Sequence, residues 1–397
     1  MPAGSARRLV ALSLPPGERF VDVAEEVWAA GGAILPLDPS APVDVVRRLV
    51  AELRPHTLVD EDGDGERALP DGVPVDDGVA VVIATSGSTG QPKGAELSWN
   101  ALQASAAATR QRLGSDSSDA WLSCLPWQHI GGLQVWLRAR SASLPVAIHP
   151  RFDLEAVRRA EATLVSLVPT QLTRLLDAGV DLARFRAILL GGAAAAPALL
   201  SRARSAGANV VTTYGMSETS GGCVYDGVPL AGVEVETDSA EGRIRIRGRV
   251  LMNGYRLRPD LSAEAFADGW LVTQDVGAFE NGRLVVHGRV DDVIVTGGEN
   301  VATAMVADAL SEHPDVRDVA VTGVPDEQWG ERVVAVVVAG SRTPTLDELR
   351  RWVGERAGSK AAPHGLVLVP HIPRLTSGKP DRLALRALAQ DSSPGAG

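Results

Sequence analysis

The chain has 397 residues, 45% of them hydrophobic and 22% charged, with a net charge of −10. That length exceeds one ordinary core and points to two or three domains with ample apolar material to bury. The acidic balance argues against non-specific nucleic-acid binding, and no stretch reaches the roughly 18 apolar residues of a membrane span.

Residues 1–78 carry helical patterns over Val21 to Ala30 and Val43 to Leu53, with a short strand ending near Leu37 between them. Asp60 to Asp77 is acidic and rich in Gly and Pro, and reads as an exposed loop. Val79 to Ala84 is an apolar, partly β-branched run that ends at a Gly-rich turn, the pattern of a buried strand. Ser98 is placed to cap a helix from Trp99 to about Leu113. Helical patterns over Asp153 to Ala162 and Thr170 to Ala178 then alternate with apolar runs at Ala187 to Leu190 and Asn209 to Thr213, which implies an α/β sheet. Val233 to Glu236 and Arg243 to Arg247 alternate apolar with charged residues, as half-exposed strands do. A smaller unit follows, with a helix over Thr303 to Glu312 and strands over Val319 to Thr322, Val333 to Val338 and Leu366 to Val369. Within it Thr345 and Glu348 form a capping box for a helix to about Glu355. Cys124 and Cys223 lie far apart, in no CxxC pattern, and read as buried free thiols in a reducing compartment, here taken as the cytoplasm. The seven histidines show no paired metal spacing.

The chemistry starts at Thr85-Ser86-Gly87-Ser88-Thr89-Gly90-Gln91-Pro92-Lys93-Gly94. Glycine lets successive backbone N–H groups point into one concavity, the hydroxyls add donors, and Lys93 adds charge, which together suit a polyphosphate. The Walker A loop is excluded, because Lys93 stands between Pro92 and Gly94. The run resembles the phosphate loop of the adenylate-forming superfamily, which includes acyl-CoA synthetases, peptide-synthetase adenylation domains and luciferases.

Further stretches resemble the same superfamily in its order, and with the loop they span residues 85–382. Tyr214-Gly215-Met216-Ser217-Glu218-Thr219 follows the apolar run at Asn209 to Thr213, and the resemblance implies Tyr214 beside adenine and Glu218 on Mg2+. Asp275 would accept from the ribose hydroxyls, although Gln274 replaces the family's usual Gly. In Gly288-Arg289-Val290-Asp291-Asp292, Arg289 would reach the ribose and Asp291 would be the hinge. Thr296 to Val301 would face the site during thioester formation. Lys379, in Pro373 to Arg382, would bridge the acyl carboxylate and the α-phosphate. His129, in Pro126 to Gly132, would line the acyl pocket with Gly192 and Thr219, and Gly191-Gly192 would run between adenine and the acyl group.

The implied fold is α/β: a large N-terminal adenylate-forming domain (1–288) with α/β sheets and a β-rich subdomain, and a small mobile α+β C-terminal domain (289–397). The implied activity is an AMP-forming acid–thiol ligase using ATP, Mg2+ and CoA. The phosphate loop begins early, and the run Glu218 to Gly227 resembles a compact branch that takes 2-succinylbenzoate for menaquinone synthesis. Arg138 and Arg140 follow the His129 segment and are weighed for the acid's second carboxylate, but each reads first as an ordinary surface arginine. The expected partners are the acid, ATP and CoA, with no nucleic acid or membrane insertion; the oligomeric state is left open, with a homodimer as one option. The competing readings are a ligase for another aryl or short acyl acid, an adenylation domain serving a carrier protein, and a catalytically silent nucleotide-binding protein.

Overall fold

A computed structural model describes residues 7–61, 66–86, 92–238, 242–327, 329–374 and 380–391. The chain forms two compact units. The first holds Met1–Gly192, Ala203–Val235 and Ile246–Leu271; the second holds Ala193–Arg202, Glu236–Arg245 and Val272–Gly397.

The first unit contains two seven-stranded sheets. One runs in the order 254–255, 92–98, 79–86, 33–36, 9–13, 57–60, 67–68. Leu9–Ser13 lies parallel to both Ala33–Pro36 and Thr57–Asp60. It is apolar at almost every position because a parallel strand buried on both faces has no solvent side. Val79–Ser86 turns back antiparallel onto Pro92–Ser98, extending the expected strand by two residues into the Gly-rich run. The acidic 60–77 segment contains a two-residue strand, Arg67–Ala68, paired to Thr57–Leu58.

The other sheet runs 228–229, 221–225, 210–216, 187–190, 164–167, 121–123, 146–148. Its central strands are parallel. Val210–Met216 is longer than expected, so Tyr214 to Met216 lie on the strand itself. Gly221–Tyr225 folds back antiparallel on that strand, with a register shift at Tyr214/Gly215. Only glycine fits at 215, since a Cβ there would stand 2.2 Å from the Gly221 carbonyl oxygen.

An aromatic cluster anchors this unit. Trp127 and Trp136 stack at 5.1 Å, and Phe20 meets Trp127 edge-on at 4.9 Å. Trp127 is 1% exposed, and its indole N–H donates to Ser123 Oγ at 2.9 Å. Burial of each such ring stabilises by about 3 kcal/mol.

In the second unit, Gly330–Ala339 is central. Val316–Asp326 pairs with it antiparallel and Gly365–Leu368 in parallel. Val333, Ala335 and Val337 pack with Val306, Leu310, Leu349 and Val353, while Val336 and Val338 pack with Ile372 and Leu385. Both faces are covered, which is why Val333 to Val338 is an unbroken apolar run. The capping box is present: Glu348 N–H donates to Thr345 Oγ1 at 3.3 Å, and Thr345 N–H donates to Glu348 Oε2 at 2.8 Å. Among the described residues no helix is long and apolar enough to cross a membrane.

Candidate active site

In open α/β sheets, ligands bind beyond the carboxyl ends of parallel strands. The first unit gathers its sequence candidates there. Thr85 and Ser86 end Val79–Ser86, and Gly191-Gly192 follow Ala187–Leu190. Tyr214 to Glu218 end Val210–Met216 and enter the short turn Ser217–Thr219. Trp121–Ser123 leads through Trp127 to His129.

The phosphate-loop stem is a hairpin in which Thr85 pairs with Lys93 and Ser86 with Pro92. Gly87, Ser88, Thr89 and Gly90 lie outside the described residues, as does Lys379, and the side chains of Ser86 and Asp291 are likewise not described. Lys93 Nζ sits over the Tyr255 ring, 5.2 Å from its centroid. The Tyr255 hydroxyl donates to Glu218 Oε1 at 2.7 Å. Tyr255 therefore joins two candidates that are far apart in sequence. The sequence reading missed it, because an isolated Gly-Tyr pair carries no signal of its own.

Backbone bonds hold this triad. Met252 N–H donates to the Glu218 carbonyl at 2.8 Å. Tyr255 pairs with Ala95 of the strand that carries Lys93, and its N–H donates to Ser262 Oγ at 2.8 Å. Glu218 Oε2 has no hydrogen-bond partner among the described residues. Mg2+ takes oxygen ligands and is held by one or two carboxylates plus substrate phosphates, so a single half-buried carboxylate with one oxygen to spare fits it.

Thr219 is fully buried. Its hydroxyl donates to the Gly221 carbonyl at 2.7 Å and accepts from Met216 N–H at 2.9 Å. In this arrangement it braces the Glu218 turn. His129 is half-buried at the N-terminal cap of Ile130–Ala142, between the buried Trp127 and Ile130. Gly191 passes so close to Thr213 that a Cβ would stand 2.2 Å from its Oγ1. Arg140 is engaged by Glu25 (Nη2 to Oε2, 2.7 Å) and lies over Trp28 and Trp99. Arg138 is 7% exposed and lies over Trp121. Both cysteines are buried, and burial pushes each thiol up to about 12, so neither is a nucleophile.

In the second unit Asp275 and Arg289 are cross-strand partners in one hairpin, with Arg289 Nη1 3.6 Å from Asp275 Oδ1. The two candidate ribose contacts are thus adjacent. Thr273 Oγ1 accepts from Asp275 N–H at 3.0 Å and donates to the Ile244 carbonyl at 2.8 Å, which fixes the strand there. Asp291 falls in the short turn Val290–Asp292. Thr296 and Glu299 flank a two-residue turn whose glycines, Gly297 and Gly298, both have positive φ, as a type I′ hairpin requires. Arg374 and Pro380 form an isolated β-bridge, and Arg374 Nη2 lies 2.9 Å from each Asp318 carboxylate oxygen.

Comparison with known proteins matches residues 60–256 to the AMP-binding enzyme family and residues 305–379 to the AMP-binding enzyme C-terminal domain. A probable 2-succinylbenzoate–CoA ligase of Mycobacterium tuberculosis is 46% identical over 337 residues, covering 80% of this chain and 86% of that protein. The o-succinylbenzoate CoA synthetase of Bacillus subtilis, solved with its acyl-adenylate intermediate, superposes with a TM-score of 0.86 at 27% identity, over 98% of this chain and 90% of that one. The same enzyme solved with ATP and magnesium ion gives 0.83 at 26% identity, over 96% and 90%. These matches show that the chain belongs to the AMP-binding, adenylate-forming enzymes, among the 2-succinylbenzoate–CoA ligases.

Proposed function

We propose that this chain joins 2-succinylbenzoate to CoA, forming 2-succinylbenzoyl-CoA, AMP and pyrophosphate in menaquinone synthesis. The observation that carries the reading is the 46% identity with a ligase of that name over most of both chains. In the first step a carboxylate oxygen attacks the α-phosphorus of ATP and pyrophosphate leaves. In the second the CoA sulfur attacks the acyl carbon, the thiol proton passes to solvent, and AMP leaves.

The residue roles are our assignment. Lys93 and the loop hydroxyls hold the β- and γ-phosphates. Asp275 and Arg289 hold the ribose, and the backbone at Gly191, Gly192 and Tyr214 to Ser217 borders the adenine. Mg2+, held by Glu218, would supply charge neutralisation on the phosphates. Lys379 offsets the negative charge that grows at the α-phosphate, where a fixed cation lowers the barrier. His129 and Gly192 border the acyl group. Asp291 is the hinge about which the 289–397 segment reorients between the two steps. Because ATP and CoA are cytoplasmic metabolites, we place the reaction in the cytoplasm.

The test is mass spectrometry of products from the purified protein with MgATP and CoA, offered 2-succinylbenzoate, benzoate or a medium-chain fatty acid. Succinylbenzoyl-CoA with stoichiometric AMP, and little product from the other acids, supports the reading. A thioester from a different acid keeps the chemistry and discards the substrate. No AMP from any of the acids, with ATP bound, would favour a silent nucleotide-binding protein.

A further inference from the structure

The Tyr255 side chain touches both Lys93 and Glu218. Building on the function proposed above, we propose that Tyr255 is the positioning residue of the metal–nucleotide site: its hydroxyl fixes the Glu218 carboxylate and its ring restrains Lys93.

The geometry gives each part of the tyrosine a separate task. A carboxylate on a free side chain samples several rotamers, and ordering it opposes metal binding. The 2.7 Å bond from the phenol occupies Oε1 and leaves Oε2 open. A hydrogen bond to a charged acceptor is among the stronger kinds, so one bond suffices to select a rotamer. The ring face attracts the Lys93 ammonium electrostatically and holds a long, flexible side chain near the Glu218 turn.

The tyrosine is itself fixed. Its strand pairs with the Lys93 strand through Gly254↔Glu96 and Tyr255↔Ala95. The next residue, Arg256, donates its backbone N–H to the Gly94 carbonyl at 2.8 Å, immediately after Lys93. Asn253 N–H donates to the Glu96 carbonyl at 2.8 Å on the other side. The Glu218 main chain is tied to the same segment through Met252 N–H. Ring, lysine and carboxylate therefore share one rigid frame, the arrangement a preorganised site needs.

The experiment is Tyr255→Phe, which keeps the ring and removes only the hydroxyl. Pyrophosphate exchange is titrated with Mg2+ at saturating ATP and acid. In parallel, thermal stabilisation by nucleotide is measured with Mg2+ and with EDTA. The expected result is a half-saturating Mg2+ concentration about tenfold higher, the loss expected for one hydrogen bond to a charged group. Stabilisation by MgATP should shrink, while stabilisation by ATP in EDTA should match the parent. In a Glu218→Gln background the same change should have no further effect on Mg2+-dependent stabilisation, so the effect is traced to that carboxylate even if Tyr255→Phe also lowers the unliganded melting temperature. Parental Mg2+ dependence in Tyr255→Phe, or an equal effect in the Glu218→Gln background, overturns the proposal. If the parent shows no exchange with any acid, the ligase reading fails, and Mg2+-dependent nucleotide stabilisation still decides the role of Tyr255.

Discussion

Arg256 Nη1 lies 3.1 Å from Glu96 Oε1, and the two side chains are 1% and 11% exposed. The same guanidinium donates Nε–H to the Leu53 carbonyl at 2.6 Å, and it reaches the carbonyls of Val73, Pro74 and Arg54. One buried cation therefore closes the end of the Val43–Leu53 helix, the 73–74 segment and the strand after Lys93. Arg256 follows Tyr255 directly, so the clamp that holds the sheet edge also holds Tyr255.

Arg256→Met tests that clamp. Burial pushes the Glu96 carboxyl up, against the opposing pull of Arg256. Removing Arg256 leaves the carboxylate buried without its ion-pair partner and strips four carbonyls of a donor. Breaking a buried pair from one side costs about 3–5 kcal/mol. Urea denaturation should show a loss of that order, and the Arg256→Met, Glu96→Leu double variant should recover part of it. A loss below about 1 kcal/mol would mean that the clamp does not support the fold.

The lysine assignments separate by half-reaction. Lys379→Ala should lower pyrophosphate exchange by about two to three orders of magnitude, the usual cost of removing a preorganised transition-state donor. Thioester formation from preformed acyl-adenylate should fall far less. Lys93→Ala should instead raise the KM for ATP. Equal losses in both half-reactions for Lys379→Ala would refute its assignment to adenylation.

Asp291→Pro tests the proposed hinge. Proline fixes φ near −65° and restricts the residue before it, so the backbone loses the freedom to rotate there. The expected outcome is that the half-reactions part company, one staying within about tenfold of the parent and the other nearly lost. Single-turnover assays of each step read this directly. If both steps proceed at the parent rate, the rotation lies elsewhere.

The legible parts of the sequence were those written locally. Ser98 caps its helix, its Oγ accepting from Ala101 N–H at 3.2 Å, and Thr345 and Glu348 form the predicted box, because caps are set by residues three apart. The apolar run at Val333 announced a strand. Helix Ile130–Ala142 escaped notice because it is buried nearly all round, Gln134 and Arg138 included, and so shows no polar stripe. Asn281-Gly282, with both φ values positive, marks a hairpin turn that the reading passed over. Of the site, Lys93, Glu218, Asp275 and Arg289 carried motif signals. Tyr255 and Arg256 did not: their partners lie far away in sequence, at Glu218 and Leu53, and sheet pairing alone brings them together.

The last prediction concerns pH. Asp119 is 2% exposed at its side chain and accepts from Arg186 Nε at 2.8 Å, Arg186 Nη2 at 2.6 Å and Thr163 Oγ1 at 2.7 Å. Burial opposes ionisation, but the bonds from Arg186 and Thr163 outweigh it and hold the carboxyl down from 3.8 to about 2. A folded-state value below the unfolded one contributes stability above the unfolded value, and loses it as pH falls toward the folded value. Here that amounts to about 2 kcal/mol at neutral pH, falling to about half by pH 3. Asp119→Asn should therefore cost about 2 kcal/mol in urea denaturation at pH 7, and the gap to the parent should narrow between pH 4 and pH 3. The site lies at Trp121–Ser123, the strand that leads to Trp127 and His129, so the variant should lose stability with little change in the KM for ATP. A gap that is constant from pH 7 to pH 3 would show that Asp119 acts through packing and not through its charge.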